Sequence, residues 1–139
     1  MEITENYPLK KLNTFGVDVL ARYYTELKNE TDINELLKNE EFIKGDRLFL
    51  GGGSNILFTK NFNGLIAKIE TKGNRVVEED EKEVLVESSA GEKWNDFVTY
   101  CVEKGFYGVE NLSLIPGTVG AAPIQNISAY GVELKDVFE

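Results

Sequence analysis

Residues 111–132 read NLSLIPGTVGAAPIQNISAYGV and hold no charged side chain, although charged residues make up 28% of the chain. At that composition, a chosen window of this length lacks charge by chance roughly once in a thousand. Two of the chain's three prolines, Pro116 and Pro123, fall in it, alongside Gly117, Gly120 and Gly131. Such a stretch is too broken for one long helix and too polar and interrupted to cross a membrane. A neutral, irregular segment points to burial, either under other protein or under a large ligand. Its backbone N–H and C=O groups must still find partners. The amides of Gln125 and Asn126 can meet that need internally or can face a bound molecule.

The rest of the composition sets outer bounds. A chain of 139 residues suits one domain or two small lobes, and removes about two-thirds of its unfolded surface from water on folding. A net charge of −9 argues against nucleic acid as a partner, because phosphate neutralisation needs clustered Lys and Arg. An anionic small ligand would have to be held by backbone N–H groups and local dipoles. The single cysteine, Cys101, allows no internal disulfide and is compatible with a reducing compartment. Residues 1–12 are polar and carry no secretory signal pattern, so a cytoplasmic protein is expected. Histidine is absent, which removes His-based acid–base chemistry and His-ligated metal, and no metal site is expected.

Along the chain, residues 13–16 form a polar turn and 19–27 an extended run rich in Val, Leu and Tyr, read as a strand. Thr31 is the expected N-cap of a helix whose Ile33, Leu36 and Leu37 share a face. Residues 47–50 are a short strand, followed by a glycine loop and an apolar, strand-like run at Ile56, Leu57 and Phe58. Further strands are expected at 65–69, 75–79 and 83–88, the last two joined by an acidic turn. Trp94, Phe97, Val98, Cys101 and Val102 recur at helical spacing, predicting an amphipathic helix over 92–104 that Gly105 terminates. Trp94 and Cys101 read as core residues on that stripe. Residues 133–139 look like a strand. The pattern predicts an α+β protein of two small lobes, with a boundary near residues 71–74.

The glycine loop, Gly51, Gly52, Gly53, Ser54 and Asn55, is the second informative feature. Adjacent glycines let the backbone reach positive φ and approach a ligand without Cβ obstruction. Successive N–H groups there can converge on an anion, with the Ser54 hydroxyl and Asn55 amide as further donors. On its own, the loop reads more readily as a plain tight turn between strands. It is not a Walker loop, since no Lys follows before Lys60, and not a dinucleotide fingerprint, since position 56 is Ile and no helix is expected after it. Phosphate would therefore sit in a strand–loop–strand cradle without a helix dipole behind it. The run Glu78, Glu79, Asp80, Glu81 and Glu83 reads as a solvated hairpin tip. Glu110 stands at the mouth of the uncharged segment, placed to cap or orient it.

Four segments in order carry a resemblance to a known family: Asn13-Thr14-Phe15-Gly16, then Leu50 through Leu57, then Ala90-Gly91-Glu92-Lys93-Trp94, and finally Glu110 through Glu133. Ile115-Pro116-Gly117, Pro123-Ile124-Gln125-Asn126 and Ala129-Tyr130-Gly131 are its most specific parts. The chain resembles the N-terminal, FAD-binding part of the bacterial flavoenzyme family of UDP-N-acetylenolpyruvoylglucosamine reductases (UDP-N-acetylmuramate dehydrogenases). The resemblance implies a two-lobe α+β FAD-binding fold of the vanillyl-alcohol-oxidase-like type. Residues 1–72 would be the first lobe, with the glycine loop, and 73–139 a second, incomplete lobe; a substrate domain would be absent. Carried over by position, Gly51, Gly52, Gly53, Ser54 and Asn55 would face the pyrophosphate of FAD. Ile115, Pro116, Gly117, Gly120, Ala121, Ala122, Gln125 and Asn126 would contact the cofactor from the second lobe, the two surfaces closing around it.

The family reaction passes a hydride from NADPH to the flavin and then to the enolpyruvyl double bond of a nucleotide-sugar substrate, giving UDP-N-acetylmuramate for peptidoglycan. Its active-site serine, arginine and glutamate belong to later segments, so no catalytic residue is expected here and the fragment is expected to be inactive. Two departures stand out: Ser128 replaces a common glycine, and Ala121-Ala122 replaces a pair that is often Gly or Ser, which would remove a hydroxyl bond to the cofactor. The rival expectation is a stand-alone module that docks a protein partner through residues 111–132, since absence of charge also suits an interface core. The oligomeric state is not readable from the sequence.

Overall fold

A computed structural model describes residues 1–139. The chain divides into two compact units, Met1–Thr71 and Lys72–Glu139.

The first unit is built on a four-stranded sheet in the order β1-β2-β4-β3, with β1 at Thr4–Pro8, β2 at Leu20–Leu27, β3 at Asp46–Leu50 and β4 at Phe62–Ile69. β1 runs antiparallel to β2, while β2 and β3 both run parallel to β4. The central position of β4 explains its sequence. Leu65, Ile66 and Ala67 are all fully buried, and alternating side chains point to opposite faces. Ile66 joins one core cluster with Leu9, Val19, Ala21, Tyr24, Leu50 and Phe58, whereas Leu65 and Ala67 join another with Leu27, Leu36 and Phe42. Each large apolar side chain so enclosed contributes about 1.5–3 kcal/mol.

Two short helices cover the second cluster, α1 at Glu30–Leu36 and α2 at Glu40–Lys44. Both use asparagine caps: Asn29 Oδ1 accepts from the Asp32 N–H at 3.0 Å and Asn39 Oδ1 from the Phe42 N–H at 3.1 Å. The expected cap Thr31 instead lies inside α1. Of the expected apolar face only Leu36 is buried, with Leu37 left 55% exposed, because a helix this short offers the core a single contact. α2 escapes sequence reading for the same reason, with Phe42 its one buried residue.

Between β3 and β4 the chain makes a parallel crossover, which elsewhere usually needs a helix. Here residues 51–61 cross without one. The expected strand at 56–58 does not form. Phe58 is buried in the first cluster and Ile56 packs against it, both from irregular backbone, while Leu57 is turned out to solvent. Turn 13–16 braces the start of this crossover. Asn13 Nδ2 donates to Leu9 O at 2.8 Å and Val17 O at 3.1 Å, and its Oδ1 accepts from Val17 N at 3.0 Å. Thr14 N then donates to Gly53 O at 3.0 Å. Gly53 takes φ +68°, and a Cβ there would lie 1.9 Å from Leu12 O.

The second unit opens with a two-stranded hairpin, β5 at Asn74–Glu79 and β6 at Val84–Ser88. Its tip is the solvated acidic turn the sequence predicts: Asp80 Oδ1 accepts from Lys82 N at 2.7 Å and Glu83 N at 2.8 Å, and these bonds hold the Asp80 carboxyl below its usual range. Helix α3 spans Trp94–Lys104 and ends at Gly105 in the left-handed conformation, φ +76°. Trp94, Val98 and Cys101 are buried, but Val102 is 48% exposed, so the apolar stripe is narrower than its spacing suggests. The tail also differs from expectation. Only Val132–Glu133 (β8) is extended, paired with Ser128–Ala129 (β7), and Leu134–Asp136 turns into a 3-10 helix closed by a Glu133/Asp136 capping box.

Replacing Gly53 by Ala forces backbone against backbone at the turn. The expected result is a loss of about 2 kcal/mol or more in chemical-denaturation stability, whereas Gly16→Ala, also at positive φ (+64°) but with open space at its Cβ, carries only the left-handed backbone penalty of about 1 kcal/mol. Burial pushes the Cys101 thiol up to about 11, so at pH 8 it is neutral as well as enclosed. A disulfide exchange reagent should therefore titrate essentially no thiol in the folded protein and one after unfolding. Because the folded thiol holds its proton more tightly, this group's contribution to stability declines as pH rises from about 9 through 11.

Candidate functional site

The crossover presents the glycine loop at the end of β3. No residue from Leu48 to Thr59 is charged. Gly52 and Asn55 are exposed, Gly51 and Ser54 half-buried, and Gly53 buried against the turn beneath. Among the unit's turn and loop bonds, none uses the N–H of Gly52, Gly53 or Ser54 as donor; the bond at Gly53 is one its carbonyl accepts. A rigid floor therefore supports a surface of consecutive main-chain donors, the donor set suited to an anion in an acidic protein. No helix follows, in agreement with the strand–loop crossing.

In the second unit the uncharged segment winds through three single-turn helices, Glu110–Leu112, Val119–Ala121 and Pro123–Gln125. What fixes its path is a short antiparallel contact with the residues before α3. Gly120 N donates to Ala90 O at 2.9 Å, Val119 N to Glu92 O at 2.9 Å, and Trp94 N to Gly117 O at 3.1 Å. The Trp94 Nε1–H donates to Leu112 O at 2.7 Å from within the core. Gly120 is required there, since a Cβ would meet the Ala90 Cβ at 2.6 Å. The N–H groups of Ile115, Gly117 and Thr118 are donors in none of these bonds.

Within the chain itself the segment is buried only in part. Leu112, Thr118, Ala122 and Ile127 are inside, but Leu114 is 81%, Ile124 86% and Tyr130 91% exposed. Leu114 and Tyr130 also hold positive φ, +62° and +53°, which costs an L-residue roughly 1–2 kcal/mol each. Strain of that kind persists only where the surroundings enforce it. At Leu114 the enforcement is visible: Asn95 Oδ1 accepts from Leu114 N at 2.9 Å and Ser113 Oγ at 3.1 Å.

Several candidates turn out to have internal duties. Ala122 lies in the core with Trp94, Val98, Leu112, Ile127 and Leu134, so a hydroxyl there would point inward rather than toward a ligand. Asn126 Nδ2 donates to Glu133 Oε2 at 2.9 Å and its Oδ1 accepts from Lys135 N at 3.0 Å. Lys135 and Asn126 hold the Glu133 carboxyl below its usual range. Glu110 orients its own turn, accepting from Gly108 N at 2.5 Å. Ile115, Pro116, Gly117, Ala121 and Gln125 are left at least partly accessible. Each candidate set is gathered within its own unit. Asn95 is the positioning residue that sequence reasoning did not single out; Asn13 and Ala90 stand in segments that carry the resemblance, with no positioning role read for them.

The FAD binding domain family model matches residues 21–139. A protein of Amoebophilus asiaticus is 50% identical over the whole chain, which covers 41% of that relative. One of Pseudomonas aeruginosa is 49% identical with the same coverage. Both are named UDP-N-acetylenolpyruvoylglucosamine reductase, and this chain spans about two-fifths of their length. The crystal structure of UDP-N-acetylenolpyruvylglucosamine reductase from Thermus caldophilus superimposes with a TM-score of 0.70 at 20% identity, over 97% of this chain and 45% of that one. That likeness speaks to the α+β fold. With its model spanning both units and every candidate position, the chain belongs to the FAD binding domain family.

Proposed function

We propose that this chain holds FAD through two neutral surfaces: residues 51–55 take the diphosphate, and residues 115–126 line the ring system. Within a longer protein, it would serve an NADPH-dependent reductase that converts UDP-N-acetylglucosamine enolpyruvate to UDP-N-acetylmuramate. The observation that carries this reading is the run of uncommitted main-chain donors at Gly52, Gly53 and Ser54 in a charge-free loop, in a chain that belongs to the FAD binding domain family. The names of the relatives support the substrate class.

The residues fit such a group. A diphosphate brings negative charge, and backbone N–H groups accept it without a compensating cation. Keeping Asp and Glu out of both loops matters in a protein with a net charge of −9, since a nearby carboxylate would repel the phosphates. Turn 13–16 fixes the loop floor through Thr14 N and Gly53 O, so the donors are ordered before binding and little entropy is lost on contact. The Ser54 hydroxyl adds one more donor. In the second unit, Gly117 and Pro116 present backbone and a flat ring face without long side chains. When bound, the flavin supplies hydride acceptance and donation. No residue of this chain is assigned a proton-transfer role. NADPH as donor, a nucleotide-sugar substrate and a cytoplasmic setting are parts of the same proposal. A stand-alone docking module finds no support among the comparisons.

Titration with FAD, followed by quenching of flavin fluorescence, tests the reading. Saturable quenching is expected, with ADP competing. Gly52→Asp places a carboxylate on the exposed rim of the cradle, and is expected to weaken FAD at least tenfold, or about 1.4 kcal/mol, with an unchanged unfolding midpoint. Equal affinity in the variant would remove the glycine loop from the site.

A further inference from the structure

Leu114 combines three features that folding alone leaves unexplained. Its backbone sits at φ +62°, its side chain is 81% exposed, and a dedicated side chain holds it there. That side chain is Asn95, half-buried on the first turn of α3. Its Oδ1 accepts both the Leu114 N–H and the Ser113 hydroxyl. The helix beneath is itself fixed, because its neighbours Trp94 and Val98 lie in the core and the Trp94 indole is tied to Leu112 O. A rigid chain of contacts thus runs from the core through α3 and Asn95 to a leucine displayed in water. Unfavourable backbone geometry is being maintained without any internal packing gain from the side chain it projects.

Stored strain of this kind marks places where geometry serves a ligand. The position says which ligand. Leu114 directly precedes Ile115, Pro116 and Gly117, in a stretch without charge whose Ile115 and Gly117 N–H groups are not used in the unit's turn and loop bonds. An apolar side chain beside neutral amide donors matches a planar, uncharged heteroaromatic ring with acceptors on its edge, and does not match a phosphate or a sugar. We propose that Leu114, held in its strained conformation by Asn95, packs against the ring system of the bound dinucleotide, with Asn95 as a positioning residue that never touches the ligand. The inference rests on the FAD reading above.

Two variants of the full chain test it, with FAD and ADP as probes. Leu114→Gly relieves the positive-φ strain and removes the side chain; the unfolding midpoint should hold or rise while the FAD dissociation constant increases at least fivefold. Asn95→Ala keeps the leucine but frees its backbone, and the same loss of FAD affinity is expected. In both, ADP, which carries adenine but lacks the isoalloxazine against which Leu114 packs, should bind as it does to the parent chain. FAD affinity within twofold of the parent in either variant overturns the proposal, and so does a parallel loss of ADP binding, which would mean general damage. A parent chain that quenches no flavin fluorescence at all fails at the earlier step: the cofactor reading falls, and this inference with it.

Discussion

An irregular, uncharged segment keeps one shape only if its main-chain polar groups have fixed partners, and in this protein those partners lie just ahead of α3. The carbonyls of Ala90 and Glu92 and the N–H of Trp94 meet Gly120, Val119 and Gly117 in turn, and the indole N–H reaches Leu112 O. Each such bond contributes a modest net amount, about 0.5–1.5 kcal/mol, but an unpaired buried group would cost more. The fit between residues 90–94 and 117–120 therefore decides both whether the second unit folds and which N–H groups stay uncommitted at its surface. A single tryptophan does two jobs here. Its ring fills the core and its nitrogen anchors the start of the neutral segment.

Close approach of backbones is the second recurring device, and in both candidate segments it rests on glycine. Gly53 lets the crossover lie directly on the Leu12–Asn13 backbone, and Gly120 lets the neutral segment lie on Ala90. In each case one face of the glycine is taken up by packing. Gly52 and Ser54, which flank Gly53, and Gly117 ahead of Gly120 stay at least partly accessible, whereas Thr118 is buried. Positive φ also falls on Gly53 rather than evenly across the three glycines.

Long, periodic elements were legible in the sequence, and short ones were not. Strand β2, the β5–β6 hairpin with its acidic tip, and α3 with its Gly105 stop all follow from local pattern, because hydrophobic period and terminator agree over many residues. α2 has one buried side chain, too little for periodicity to register. Ile56 to Phe58 looked like a strand by composition, yet β4 takes its parallel partners from β2 and β3, leaving no free edge for it. The segment at residues 111–132 stood out by its lack of charge, but neutrality does not specify which of its residues the chain itself encloses. Leu114, Ile124 and Tyr130 remain in solvent, and positive φ at a leucine or tyrosine cannot be read from residue type, since both types avoid it.

The two units consequently differ in what holds them. The first has a mixed sheet packed on both faces, with the middle of β4, residues 64–67, buried. The second relies on a two-stranded hairpin, one helix and an irregular segment, and isolated two-stranded hairpins are marginal in water. It also carries the backbone strain at Leu114 and Tyr130. A ligand that binds only the folded form adds stability by mass action, about 2.7 kcal/mol at a hundredfold excess over its dissociation constant. That increment is comparable to the strain at two residues, so it matters most where ladder bonds are few. On this reading the second unit trades some intrinsic stability for a displayed, preorganised surface, while the first supplies a donor loop on a sheet packed on both faces.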